Sequence, residues 1–147
     1  ARSVEDVKGW LGGMARAERV SLDIEVLNFE LASIALTTDP SFAFVIPFAD
    51  RLQWSEYEEM EIMRLLSIDI FSNEQLTKVP HNGIFDLWFM FLKYGIVTKG
   101  PVEDTMIGHH IMYFEMAKSL DFLASIHCGA QEYWKDMVKF ENIKENA

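Results

Sequence analysis

His109 is the residue of this chain best placed to do chemistry. It belongs to the series Val102, Met106, His109, Tyr113, Met116, Leu120, Leu123 and His127, which steps by four and three. That spacing predicts one long amphipathic helix over about 101–127, with His109 on its apolar seam. An imidazole in such a place can bind a ligand or a metal, or transfer a proton, and Tyr113 and Trp88 are the aromatic neighbours expected to line its pocket. The plainer alternative is a packed histidine hydrogen-bonded to a neighbouring helix. On a continuous helix His110 points about 100° away from His109, and His127 stands about 27 Å along the axis. Neither can then join His109 on one ion.

Carboxylates come next. Asp23 and Glu30 are seven apart, so a helix over 15–37 puts them on one side. A carboxylate-bridged metal pair in a bundle also draws on Glu-x-x-His. The residues three before His81, His109, His110 and His127 are Lys78, Met106, Ile107 and Ala124, which argues against such a centre. The zinc-protease, phosphate-loop, dinucleotide and nucleophile-elbow motifs are missing as well. No catalytic residue, metal ligand set or cofactor is therefore assigned. Glu56, Glu58, Glu59 and Glu61, with Asp50 nearby, form the densest acidic stretch. They read as a capped, solvated helix start or as an acidic contact surface.

The elements that must position these groups look helical nearly throughout. A short helix is expected over Val4–Leu11, closed by Gly12-Gly13. A long one follows over Ala15–Thr37, with Val20, Ile24, Leu27, Leu31 and Ile34 on one stripe and Leu22, Val26, Phe29 and Leu36 on the opposite one. Phe42–Ile46 is a turn of helix or a short strand, broken by Pro47. Ser55 to Glu58 fits a capping box for a helix reaching about Phe71. Ile84–Tyr94 is an aromatic helix ended by Gly95. Gly100-Pro101 opens the helix that carries His109, and a last helix spans Ala130–Ile143. The fold expected is all-α: an irregular bundle of six or seven helices in a single domain over 1–147, with a short non-helical segment near 42–46 as the variant.

Composition bounds the function. The 147 residues include 13 Lys and Arg against 23 Asp and Glu, a net charge of −10, and the charge is spread along the chain without a basic cluster. Ordinary binding to nucleic-acid phosphates is excluded on that ground. Cys128 is the one cysteine, so no intrachain disulfide and no CxxC site exist, and a reducing cytoplasm is the expected compartment. No apolar run reaches the length of a bilayer-spanning helix, so no membrane is expected as a partner. The function expected is a small acidic protein acting by protein–protein interaction, as a regulator, inhibitor or immunity-type protein. Helices apolar on two sides suggest that it self-associates as a homo-oligomer. The alternative is a helical ligand- or metal-binding protein, or an enzyme, with an apolar aromatic pocket around His109.

Overall fold

Residues 19–26 alternate without exception: Arg19, Ser21, Asp23 and Glu25 are polar, and Val20, Leu22, Ile24 and Val26 are apolar. The computed structural model, which describes residues 1–49 and 53–129, makes this stretch strand β1 (Arg19–Leu27). Strand β2 (Glu30–Asp39) returns antiparallel to it, with Leu27 opposite Glu30. The two residues between, Asn28 and Phe29, have φ of 51° and 63°. Two consecutive positive φ angles make a tight turn whose twist suits a hairpin. Strand β3 (Phe42–Pro47) pairs antiparallel with β2 on the sheet edge, where Pro47 removes no needed donor. The helix expected over Ala15–Thr37 is thus a hairpin, and its two apolar stripes were the two faces of strands. This overturns the all-α bundle; the strand variant near 42–46 is what the chain adopts.

Helix α1 (Val4–Met14) is capped by Ser3, whose Oγ accepts the Asp6 N–H at 3.1 Å, and runs through Gly12-Gly13 rather than stopping there. Helix α2 (Glu56–Leu65) begins with the capping box of Ser55 and Glu58. It continues as a π-helical turn over Leu66–Phe71, closed by the Ser72 N–H on the Ser67 carbonyl. Strand β4 (Thr77–Val79) then enters the sheet parallel to β1, giving the order β3-β2-β1-β4. Helix α3 (Ile84–Tyr94) follows and ends at Gly95, whose φ of 67° glycine adopts without the steric cost a side chain would bring.

The core lies between the apolar face of the sheet and the helices. Val20, Leu22 and Ile24 of β1 meet Ile34 and Leu36 of β2, with Leu11 of α1, Ile62 of α2 and Phe71 of the π turn in the same buried cluster. The Lys78 side chain is fully buried and gives its ammonium to the Asn73 and Lys99 carbonyls at 2.5 and 2.6 Å. Burial lowers its pKa from the usual lysine value, against a smaller opposing effect of Glu74.

Gly100-Pro101 does not open a helix. Lys78 N–H donates to the Pro101 carbonyl at 3.0 Å and Glu103 N–H to the Lys78 carbonyl at 2.8 Å, so 101–103 run as an extended segment beside β4. Long-range backbone pairing wins over the local helix signal. The single helix expected over 101–127 is two, α4 (Thr105–Met112) and α5 (Leu120–His127). The chain forms two compact units, Ala1–Thr105 and Met106–Ala147. The helix expected over Ala130–Ile143, and Asp50 of the acidic stretch, lie outside the described residues.

Candidate active site

Alternation along β1 buries Val20, Leu22 and Ile24 and leaves Asp23 and Glu25 on the opposite, exposed face. The ladder between β1 and β4 ends at Ser21 opposite Val79, so Asp23 and Glu25 lie just beyond it. The segment 101–103 bridges β4 in the same parallel sense. Three chain segments therefore end side by side: β1 at its carboxylates, β4 at the Pro80–Gly83 loop, and 101–103 at Asp104 and Thr105. The carboxyl ends of parallel strands are where open α/β sheets place their ligands.

A set of short bonds fixes the loop that enters α3. The Asp104 carboxylate accepts the N–H groups of Asn82 at 3.1 Å and Gly83 at 2.7 Å. Thr105 donates its N–H to the Pro80 carbonyl at 3.0 Å, and its hydroxyl lies 2.9 Å from His81 Nδ1. A Cβ at Gly83 would collide with the Pro80 ring, so the turn requires glycine there. The first turn of α3 then presents Asp86, only 6% exposed.

Burial pushes the Asp86 carboxyl up to about 7, and the charges of Asp23, Asp104 and Glu25 push in the same direction. Every charged neighbour that moves this proton is itself a carboxylate. Hard oxygen donors at high negative charge suit Mg²⁺ or Mn²⁺. Among the described residues, however, no three His, Cys, Asp or Glu side chains already stand as a finished ligand set. The cluster fits a divalent cation in donor type and charge, and its side chains must close on the ion to bind it.

The residues singled out from sequence lie elsewhere. Trp88 is exposed on α3, on the side away from Asp86, and lines an apolar groove of about 370 Å³ with Ile84, Leu87, Phe91, Val97 and Thr98. His109 is buried in the second unit, with the Tyr113 ring 5.2 Å from its own. Because the helix breaks between α4 and α5, His127 is not 27 Å away: its Nε2 lies 3.3 Å from His109 Nδ1. Glu56, Glu58, Glu59 and Glu61 sit in α2, where Glu58 serves the capping box and Glu61 holds Arg64 at 2.7 Å. Asp23 lies on β1 and Glu30 on β2, where Glu30 binds Lys93 at 2.8 Å.

Sequence reasoning paired Asp23 with Glu30 and passed over Glu25. The usable signal was an Asp-x-Glu inside a strictly alternating stretch, which sets both carboxylates on one strand face. In the sequence Asp86 merely interrupts an apolar run, and Asp104 stands where the Gly100-Pro101 signal predicts the first turn of a helix.

Fold and site together define an α/β domain with a carboxylate cluster suited to a divalent cation. The chain belongs to the 3′–5′ exonuclease family, whose model matches residues 15–142. No curated protein matches it. Among solved structures it is similar to Escherichia coli RNase D, an exoribonuclease involved in structured RNA processing, at 17% identity and a TM-score of 0.68, over 90% of this chain and 33% of that one. It is similar to the EXO domain of Aedes aegypti Nibbler at 14% identity and 0.69, over 88% and 67%. Brucella melitensis NrnC with bound Mg²⁺ aligns at 19% identity and 0.60, over 82% and 59%. The chain spans about a third of the length of RNase D.

The family assignment overturns the reading as a non-catalytic interaction protein, and with it the exclusion of nucleic acid as a partner. That exclusion rested on the number and spread of Lys and Arg alone. No helix among the described residues is long and apolar enough to cross a membrane.

Proposed function

We propose that the chain is the catalytic domain of a 3′–5′ exonuclease that hydrolyses phosphodiester bonds from the 3′ end of a nucleic acid, with Mg²⁺ or Mn²⁺ held by Asp23, Glu25 and Asp86. The observation that carries the reading is the convergence of these carboxylates at the strand ends, within the span matched by the family model. A bound divalent cation supplies Lewis-acid charge to a phosphoryl oxygen and makes water a nucleophile near neutral pH.

The chain's own residues do the rest. Asp23 and Glu25 project from a rigid central strand, so they reach the ion with little loss of freedom. Asp86 must release its proton to become a ligand, and burial keeps it from moving far. Asp104 is a positioning residue: it clamps the Asn82 and Gly83 amides and so sets where α3 begins. Phe29, 88% exposed at the tip of the hairpin that carries Asp23 and Glu25, offers a face for a base to stack on.

The test uses a 5′-labelled single-stranded oligonucleotide, whose ladder reports shortening from the 3′ end. Shortening with Mg²⁺ and none with EDTA is expected. Asp23→Asn should slow it by about 100-fold or more, since even outer-shell partners of a metal cost 10–100-fold. Its circular dichroism should match wild type. Degradation that survives EDTA or Asp23→Asn would sink the reading.

A further inference from the structure

The geometry points to a second, separate metal site: His109 and His127 together bind a borderline transition-metal cation, Zn²⁺ in the first instance, that ties α4 to α5. This inference does not rest on the exonuclease reading. Its residues lie in the second unit, outside the carboxylate cluster.

The separation of the two nitrogens is the first observation. His109 Nδ1 and His127 Nε2 are 3.3 Å apart. Hydrogen bonds from N–H donors cluster at about 2.7–3.2 Å, so a direct bond at this distance is weak. Two Zn–N bonds of about 2.0–2.1 Å at a tetrahedral angle span about 3.3–3.4 Å between nitrogens. The pair therefore has the edge length of a tetrahedral site.

The second observation is an unsatisfied atom. His109 is 2% exposed, and its Nε2 is buried with no hydrogen-bond partner. Were the two rings merely hydrogen-bonded, either tautomer would leave His109 Nε2 unmatched: a proton without an acceptor or a lone pair without a donor. A buried unmatched group costs about 1–3 kcal/mol, a large loss for one weak bond between rings. Coordination at Nδ1 fixes the proton on Nε2 and leaves that N–H unmatched as well, but the Zn–N bond is strong enough to offset the cost, which the weak bond between rings is not.

The surroundings suit a cation of this kind. The Tyr113 ring lies 5.2 Å from the His109 ring, and Phe122 meets His109 edge-on at 6.2 Å, so the rings are held in place. His127 is exposed and gives the ion a way in. Among the described residues no third His, Cys, Asp or Glu completes the set, and water can fill positions that the two imidazoles leave open. Imidazole pairs favour Zn²⁺, Ni²⁺ and Cu²⁺ over Mg²⁺, which separates this site from the carboxylates.

The experiment is calorimetric titration of the full chain with Zn²⁺ under saturating Mg²⁺. One saturable equivalent is expected, with its affinity weakened about ten-fold or more in His127→Gln. His110→Gln and Asp23→Asn should leave it unchanged. Since His109 is buried and its replacement risks unfolding, the exposed His127 is the informative position. Zn²⁺ should also raise the melting temperature of wild type but not of His127→Gln. No saturable binding, or binding undiminished in His127→Gln, would overturn the proposal and leave an ordinary hydrogen-bonded pair.

Discussion

Asp86 sits where its charge is least welcome. It is buried, and its charged neighbours repel a second negative group, so the folded state holds its proton up to about pH 7. The unfolded chain releases the same proton near pH 4. Between those values the folded state binds more protons than the unfolded state, so stability falls as pH rises from about 4 to 7 and levels off above. Asn at this position keeps the shape and removes the charge. Asp86→Asn should therefore be more stable than wild type by about 2–4 kcal/mol at pH 8 without added metal. The gain should shrink towards pH 4, and saturating Mg²⁺ should narrow it at pH 8 by stabilising wild type alone. Urea melts at the two pH values measure this; a variant less stable than wild type at pH 8 would show that Asp86 is not held at a cost. The same variant should lose the proposed nuclease activity, the trade between stability and function that strained sites show.

At the scale of elements, the hairpin is where physics and pattern part company. Phe29 takes a positive φ of 63° with an almost fully exposed ring. A bulky residue in that region costs about 1–2 kcal/mol, and glycine there costs nothing steric. Phe29→Gly should stabilise the fold by about 1 kcal/mol while raising KM for a single-stranded oligonucleotide several-fold and leaving kcat nearly unchanged. Stability equal to or below wild type would mean that the ring packs rather than waits for a base. The same residue explains why the hairpin was hard to read. Asn28 is a favoured first turn residue, but Phe29 occupies the position where glycine usually marks such a turn. Without that mark, Val20 to Leu36 passed for a helix apolar on two sides. Helix starts and stops were legible where the signal is local: the Ser55–Glu58 box, and the Ile84–Tyr94 helix closed by Gly95. The loss of the helix start expected at Gly100-Pro101 was not, because backbone pairing of 101–103 with Lys78, distant in sequence, decides it. Of the site, Asp23 alone had drawn notice as a possible ligand. The partners that give it meaning come from α3 and the 101–104 segment, and only the fold brings them together.

For the whole molecule, the proposed function requires a chain of net charge −10 to engage a polyanion. A nuclease that grips phosphates with Lys and Arg releases counterions, and one making six to ten such contacts loses about 10³–10⁵ in affinity between 50 and 200 mM salt. This chain has 13 Lys and Arg in all, and several are already engaged: Arg19 with Glu103, Arg64 with Glu61, Lys93 with Glu30, and Lys78 inside the core. On the proposed function, binding leans on cations held by the carboxylates and on aromatic stacking, both of which respond weakly to monovalent salt. Long-range repulsion between protein and strand also fades as salt rises, because the Debye length shortens. The two effects oppose each other. At fixed, saturating Mg²⁺, kcat/KM on a short single strand should change by less than about three-fold between 50 and 200 mM NaCl, corresponding to roughly one net phosphate contact or fewer. Initial rates at the two salt concentrations decide it. A fall of 100-fold or more would show that a basic surface, on this chain or on a segment joined to it, carries the nucleic acid.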